Sequence, residues 1–273
     1  MTTTNDPPDD LFAALTKLGF RAGRDALAAF FTHAHKNRLG PTQVGEGLVA
    51  LERRAREATN LARRTRAAYL GKFKPIDRFD WAHPRKIDRA LIERLCGLDF
   101  LARGENVLFR GQSGVGKTML AQNLGHAALV AGHTVRFTTL AAALADLLQQ
   151  ESIPAFERRL KRYLRPRLLV LDELGYLPVD SRAADMLYAI VSRRHEQRST
   201  VISTNLAFKQ WGTVFPGAAC VGALVDRFAQ HCHKVDIDAE SWREKHGFER
   251  DDGDRPDRST PAPALRRPTG KQP

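Results

Sequence analysis

The sequence predicts an α/β fold, a parallel sheet with helices on both faces, preceded by a small all-helical unit. Three observations predict it. Short apolar runs alternate with helix-length segments from Asn106 onward, as expected of strands joined by crossover helices. The first run leads into Gly111-Gln112-Ser113-Gly114-Val115-Gly116-Lys117-Thr118, a full match to the G-x-x-x-x-G-K-[ST] loop that joins a strand to a helix. Residues 11–70 hold few breakers apart from Gly40-Pro41, and their last part, Leu48 to Leu70, is dense in Ala, Leu, Glu and Arg, which favours helix.

Taken in order, residues 1–10 are polar and acidic and are expected to be disordered. Residues 11–70 form the helical unit. Residues 71–84, where Pro75 and Pro84 frame Phe79-Asp80-Trp81, read as a linker. Residues 85–247 carry the sheet, with strands expected at Asn106–Arg110, Thr134–Thr138, Arg167–Leu171, Thr200–Ser203 and Lys234–Ile237. Helices are expected over about Lys117–Ala131, stopped by Gly132, then Leu140–Gln150, Arg182–His195 and Ala218–Gln230. The segment before the third strand reads only as a basic stretch. Residues 248–273 are Asp, Arg, Pro, Ser and Thr with little apolar content, and a disordered basic tail is expected.

The composition restricts the partners. Lys and Arg number 43 against 31 Asp and Glu, a net charge of +12, which favours a polyanion such as nucleic acid. No apolar stretch approaches the roughly 20 residues of a membrane helix, and the N-terminus lacks a charged-then-apolar leader. The three cysteines are widely scattered, so no disulfide framework is implied and a reducing cytoplasm is expected. His231-Cys232-His233 has no partner Cys or His at metal-binding spacing.

The chemistry concentrates at the carboxyl ends of the expected strands. Glycines at 111, 114 and 116 let successive backbone N–H groups curl around phosphate oxygens, and Lys117 brings a cation to the β- and γ-phosphates of ATP. Thr118 offers its hydroxyl to Mg²⁺. Leu168-Leu169-Val170-Leu171-Asp172-Glu173 is a buried-strand run ending in two carboxylates. Asp172 suits the metal, and Glu173 suits deprotonation of an attacking water, which favours hydrolysis over transfer to a substrate. The strand before Asn205 ends at the same edge, so its amide is a candidate to orient that water. Arg227, on a later helix, is a candidate arginine finger.

The succession of this loop, Leu-Asp-Glu-Leu-Gly-Tyr-Leu-Pro at 171–178, Ser-Thr-Asn-Leu-Ala-Phe-Lys-Gln-Trp at 203–211 and Leu-Val-Asp-Arg-Phe at 224–228 resembles the IstB-like ATP-binding proteins of bacterial insertion sequences. The resemblance covers about residues 10–245. It implies an AAA+ ATPase similar to the DnaC helicase loader and the initiator DnaA. It also implies ATP-dependent self-association on double-stranded DNA and a transposase as partner; a DnaC-type loader serving a replicative helicase is the alternative. By the same resemblance Lys117 and Thr118 match Walker A, Asp172 and Glu173 Walker B, Asn205 sensor 1 and Arg227 the arginine finger. Glu240-Ser241-Trp242-Arg243 looks like the family's Glu/Asp-Ser-Tyr-Arg segment, with Trp in place of Tyr.

Two arginine clusters remain. On a helix, Arg53, Arg56, Arg63 and Arg64 fall within an arc of about 100°, opposite Leu51, Ala55, Ala58 and Ala62, and form a candidate face for a DNA backbone. Arg158, Arg159, Lys161, Arg162, Arg165 and Arg167 form a second cluster, open between a DNA groove and a contact between subunits.

Overall fold

In the computed structural model, the described residues are 9–175 and 181–246. The disorder expected of residues 1–8 and 248–273 lies outside them, as does the Tyr176–Pro178 part of the motif at 171–178, whereas Asp9 and Asp10 already belong to a helix. The helical unit is three helices, α1 (Asp9–Lys17), α2 (Arg24–Lys36) and α3 (Pro41–Ala68). Gly19 breaks the first with φ +88°, and Pro41 opens the third at a position where its missing N–H costs nothing.

Phe12, Ala22 and Leu27 form the core of this unit, with Leu15, Ala28, Phe31, Leu48, Leu51 and Ala55 packed around them. The expected apolar face of α3 holds at Leu51 and Ala55 but not at Ala58 and Ala62, which are exposed. The physical reason is a change of partner along the helix. Its first half faces α1 and α2, while Leu61 and Ala68 turn into the core of the sheet domain. Glu52, buried, accepts hydrogen bonds from Arg21 N at 2.7 Å and Ala22 N at 3.0 Å and from Arg56 Nε at 2.5 Å. Burial pushes its carboxyl up, but Arg56 and the two backbone N–H groups outweigh this and hold it below the ordinary range. Glu52 thereby ties the α1–α2 turn to α3.

After a short 3₁₀ turn at Ile76–Arg78 come α4 (Arg89–Cys96) and α5 (Asp99–Arg103), then β1 (Asn106–Gly111), α6 (Lys117–Val130), β2 (Val135–Thr139), α7 (Leu140–Leu148), α8 (Ile153–Leu164) and β3 (Leu168–Leu174). The chain continues through α9 (Ser181–Arg194), β4 (Ser199–Thr204), α10 (Trp211–Val214), α11 (Val221–Ala229), β5 (Cys232–Ile237) and α12 (Trp242–His246). The five strands are parallel in the order β2-β3-β4-β1-β5. Alternate residues feed two layers. Val107, Phe109, Val170 and Val201 face α6 and the end of α3. Leu108, Leu169, Leu171 and Ile202 face α7, α8, α9 and α11. Among the described residues no helix is long and apolar enough to cross a membrane.

The expected strands all form, with ends shifted by one to three residues. The basic stretch before β3 is a helix, α8, a feature that its density of charge hid. Its buried and half-buried positions, Phe156, Leu160, Tyr163 and Leu164, recur at helical spacing, and Ser152 caps it by accepting from Ala155 N. α4 and α5 were likewise unread, being short.

One arginine belongs wholly to the interior. Arg194 is 1% exposed, and its guanidinium donates to the carbonyls of Tyr163, Leu164, Pro166, Arg167 and Ser199 and to Thr200 Oγ1. The planar fork locks the α8–β3 turn onto β4. Lys keeps the charge but offers one nitrogen in place of three. Arg194→Lys is therefore expected to lower the unfolding free energy by about 2–4 kcal/mol through unsatisfied carbonyls, measured by denaturant titration.

Candidate nucleotide-binding site

The phosphate loop lies between β1 and α6. Gly111 is required by the neighbouring strand, since a Cβ there would stand 2.5 Å from Ile237 O. Gly116 has φ +92°, and its missing Cβ leaves room for the Phe79 ring, which would otherwise lie 2.7 Å away. Lys117 is 6% exposed and donates from Nζ to Gly111 O at 2.8 Å and Gln112 O at 2.6 Å. Its ammonium is thus held over the loop rather than released to solvent. The α6 N-terminus adds its own positive end to the same place.

Across the loop stands Asp172, 3% exposed. Its Oδ2 accepts from Thr118 Oγ1 at 2.9 Å and its Oδ1 from Ser203 Oγ. A buried carboxylate beside a hydroxyl is a donor set of hard oxygens, which fits Mg²⁺. The next residue departs from the strand: Glu173 has φ +66°, and the pairing of β3 with β4 slips between Leu171 and Leu174. This bulge lets two consecutive carboxylates serve one site, because Asp172 stays buried while Glu173 is exposed at the sheet edge. The strained turn is anchored by Glu173 N, which donates to Ser203 Oγ at 2.9 Å.

Ser203 is the functional residue that the sequence reading missed. It accepts from the Glu173 backbone and donates to the Asp172 side chain, so one hydroxyl sets both carboxylates. Nothing separates it in sequence from Ser199, Thr200 and Thr204; only the adjacency of β3 and β4 singles it out.

Asn205 follows β4 directly and is exposed, with Oδ1 3.2 Å from where a Cβ on Gly175 would stand. Thr204 pairs with both Leu174 and Arg110, so Lys117, Thr118, Asp172, Glu173 and Asn205 share one edge of the sheet. Arg227 stands apart. It donates to Ser192 Oγ at 2.9 Å and lies 5.8 Å from the Tyr188 ring centroid, both on α9.

The linker does more than connect. Phe79 is buried against the loop, and its ring lies tilted by 57° to that of Trp81 with the centroids 4.7 Å apart. From the other side the chain after β5 returns across the loop. Lys86 and Asp238 form an antiparallel bridge, Glu240 pairs with Arg85, and Trp242 N donates to Gly114 O at 3.3 Å. The Trp242 ring meets the edge of His83 at 4.9 Å.

The two arginine clusters divide differently from the expectation. Arg56 also donates to Gly19 O, and Arg64 to Leu129 O at the end of α6, so half of the predicted DNA face is engaged in holding the fold. Arg53 and Arg63 are exposed. At His231-Cys232-His233, His233 pairs with Glu105 at 2.8 Å, burial pushes the Cys232 thiol up to about 12, and among the described residues no three or more His, Cys, Asp or Glu side chains cluster as metal ligands.

A parallel sheet with β4 between the phosphate-loop strand and the acidic strand, both ending at one edge, is the architecture of a P-loop ATP-binding protein. Residues 13–249 match the model of the IstB-like ATP binding protein family, and the chain belongs to that family. It is 36% identical over 190 residues to a Pseudomonas aeruginosa protein of insertion sequence IS21 named for ATP binding, covering 70% of this chain and 72% of that one. With the corresponding IS232 protein of Bacillus thuringiensis it shares 36% over 178 residues, 65% and 71% of the two chains. A Mycobacterium tuberculosis insertion-sequence protein is 30% identical over 231 residues, 84% of this chain and 92% of its own. Similar solved structures include the DnaC helicase loader, at TM-score 0.47 and 22% identity over 62% of this chain and 96% of that one, and DnaI, at 0.49 and 16% over 61% and 89%.

Ser203→Ala is expected to lower the Mg²⁺-dependent part of ATP affinity by about 10–100-fold, the usual effect of losing a group that orients a metal ligand. ATP affinity measured in excess EDTA should not change. Titration with a fluorescent ATP analogue under both conditions checks this.

Proposed function

We propose that this protein hydrolyses ATP while assembled on double-stranded DNA as a homo-oligomer, and that it presents that DNA to a transposase. The observation that carries the reading is the bulge at Glu173. It stands a carboxylate beside the Asp172–Thr118 pair, at an edge where Asn205 also ends. Lys117 and the α6 N-terminus would bind the β- and γ-phosphates and offset their charge. Mg²⁺, held by Thr118 and Asp172, would supply further charge neutralisation on the phosphates. Asn205 would orient a water and Glu173 take its proton as the oxygen attacks the γ-phosphorus. The relatives from insertion sequences support the transposition setting, and the net charge of +12 supports a DNA partner in the cytoplasm.

Arg227 is assigned to the neighbouring subunit's nucleotide. Its own subunit's phosphate site is built from other elements, and α9 holds its guanidinium on a different part of the surface. In that position it can complete a second copy's charge stabilisation only after assembly.

The ATPase series tests the chemistry. Lys117→Ala should weaken ATP binding. Glu173→Gln should keep binding and lose turnover by about 10²–10⁴-fold, the range for a general base; normal turnover would remove Glu173 from the base role. Arg227→Ala mixed with Lys117→Ala should recover part of the DNA-stimulated activity that each lacks alone, and co-assembly without recovery would refute action in trans.

The partner test is separate. With ATP and DNA present, the chain should retain a transposase encoded beside its own gene in a pull-down. Retention of a replicative helicase in its place would favour the loader reading.

A further inference from the structure

The second arginine cluster becomes a defined surface once α8 is seen as a helix. Ala155, Arg158, Arg159 and Arg162 fall on one stripe of it and, with Gln150, line a concave cavity of about 410 Å³. The helix sorts its charges. Glu157, its sole acidic residue, is turned to α9 and held by both Nη atoms of Arg193 at 2.7 Å each. Phe156, Leu160 and Tyr163 pack inward. Arg159 is partly matched by Asp146 at 3.5 Å, a carboxylate that also accepts from Tyr163 OH at 2.6 Å. Arg158 and Arg162 have no hydrogen bond or ion pair among the described residues.

The stripe continues onto other elements. Arg162 reaches toward Tyr69, with its guanidinium 5.9 Å from the ring centroid, and Arg136 of β2 covers the same ring at 4.2 Å. Tyr69 ends α3 with φ +58° and is 60% exposed. Arg136 Nε is buried without a partner. A protein that leaves several guanidinium groups side by side, with no carboxylate between Arg158 and Arg162, bears a cost in mutual repulsion that a polyanion would remove. One turn of helix separates Arg158 from Arg162, about 6 Å of rise, so the pair presents two charges in series along a groove. An aromatic ring beside guanidinium groups suits the sugar face of a nucleotide.

We infer that the α8 groove, formed by Arg158, Arg159 and Arg162 and extended by Arg136 and Tyr69, is a site for the phosphate backbone of DNA. The inference rests on the DNA-binding part of the proposed function and names the surface that performs it. It also joins that surface to both units of the protein, since Tyr69 belongs to the helical unit and Arg136 and Arg162 to the sheet domain.

The test measures DNA affinity of the full chain, with ATP present, across a series of salt concentrations. Arg158→Gln with Arg162→Gln should make the slope of log affinity against log salt shallower by about two, close to one for each phosphate no longer neutralised. Arg38→Gln with Arg94→Gln removes the same charge from exposed positions elsewhere and serves as the control; its slope should stay near that of the unaltered chain. ATP affinity should be unchanged in both variants. An unchanged slope in the α8 variant, or an equal fall in the control, overturns the site while leaving DNA binding itself intact. Loss of ATP-dependent self-association in the α8 variant without DNA would make the groove a contact between copies, and would also overturn it. If the unaltered chain binds no DNA, the proposed function fails first and this inference with it. Should the double variant fail to fold, Arg158→Gln alone, at an exposed position, should shift the slope by about one.

Discussion

The buried carboxylate of Asp172 is the point on which the site is built, because it receives hydroxyls from two directions. Thr118 comes from the first turn of α6 and Ser203 from the end of β4. Three segments distant in sequence are thereby fixed around one side chain. Burying so polar a group is costly unless donors meet it, so Thr118 and Ser203 are part of what lets the Asp172 side chain sit inside the fold. The same Ser203 then anchors the backbone of Glu173. A side chain on an unsupported left-handed residue would wander; here one hydroxyl links the Asp172 carboxylate to the Glu173 backbone.

The site also depends on chain that lies far from it in sequence. Phe79 fills the space over Gly116, and the Ser241-Trp242 segment lies over Gly114. The phosphate loop is therefore held between the segment that enters the sheet domain and the segment that leaves it. Arg85 and His83 bind Glu240 on the way, so entry and exit are also joined to each other. A change of nucleotide state that moved the loop would be felt at both ends of the domain, and through Leu70 and Ala68 at the helical unit.

Charge is distributed unevenly, and the distribution matters more than the total. Arg194 is consumed by backbone carbonyls, Arg56 and Arg64 by the packing of α3, and Arg193 by Glu157. These arginines add to the net charge yet offer little to a polyanion. Among the described residues, Arg158 and Arg162 of α8 keep unshared guanidinium groups on one concave surface, whereas the arginines of α3 are divided between packing and solvent. A net charge of +12 favours a polyanionic partner in general, while the internal pairing decides which arginines are free to meet one.

Much of this was legible in the residues alone. The phosphate loop, the acidic end of β3 and the alternation of strands and helices follow from local chemistry: glycine's freedom, the fixed spacing of Lys117 and Thr118, and apolar runs of strand length. Asp172 and Glu173 were readable as a pair, although not the bulge that lets them point to different tasks. What only the tertiary structure decided was neighbourhood. Strand order brought Ser203 to Asp172, and no spacing in the sequence encodes that β4 lies beside β3. The arginine face of α3 looked available because helical periodicity reports direction but not what lies opposite; Glu52, Gly19 and Leu129 lay opposite. The α8 stripe was hidden for the converse reason. A dense run of charge obscures helical period, and that Arg193 of another helix holds Glu157 on the far side is visible only in the fold.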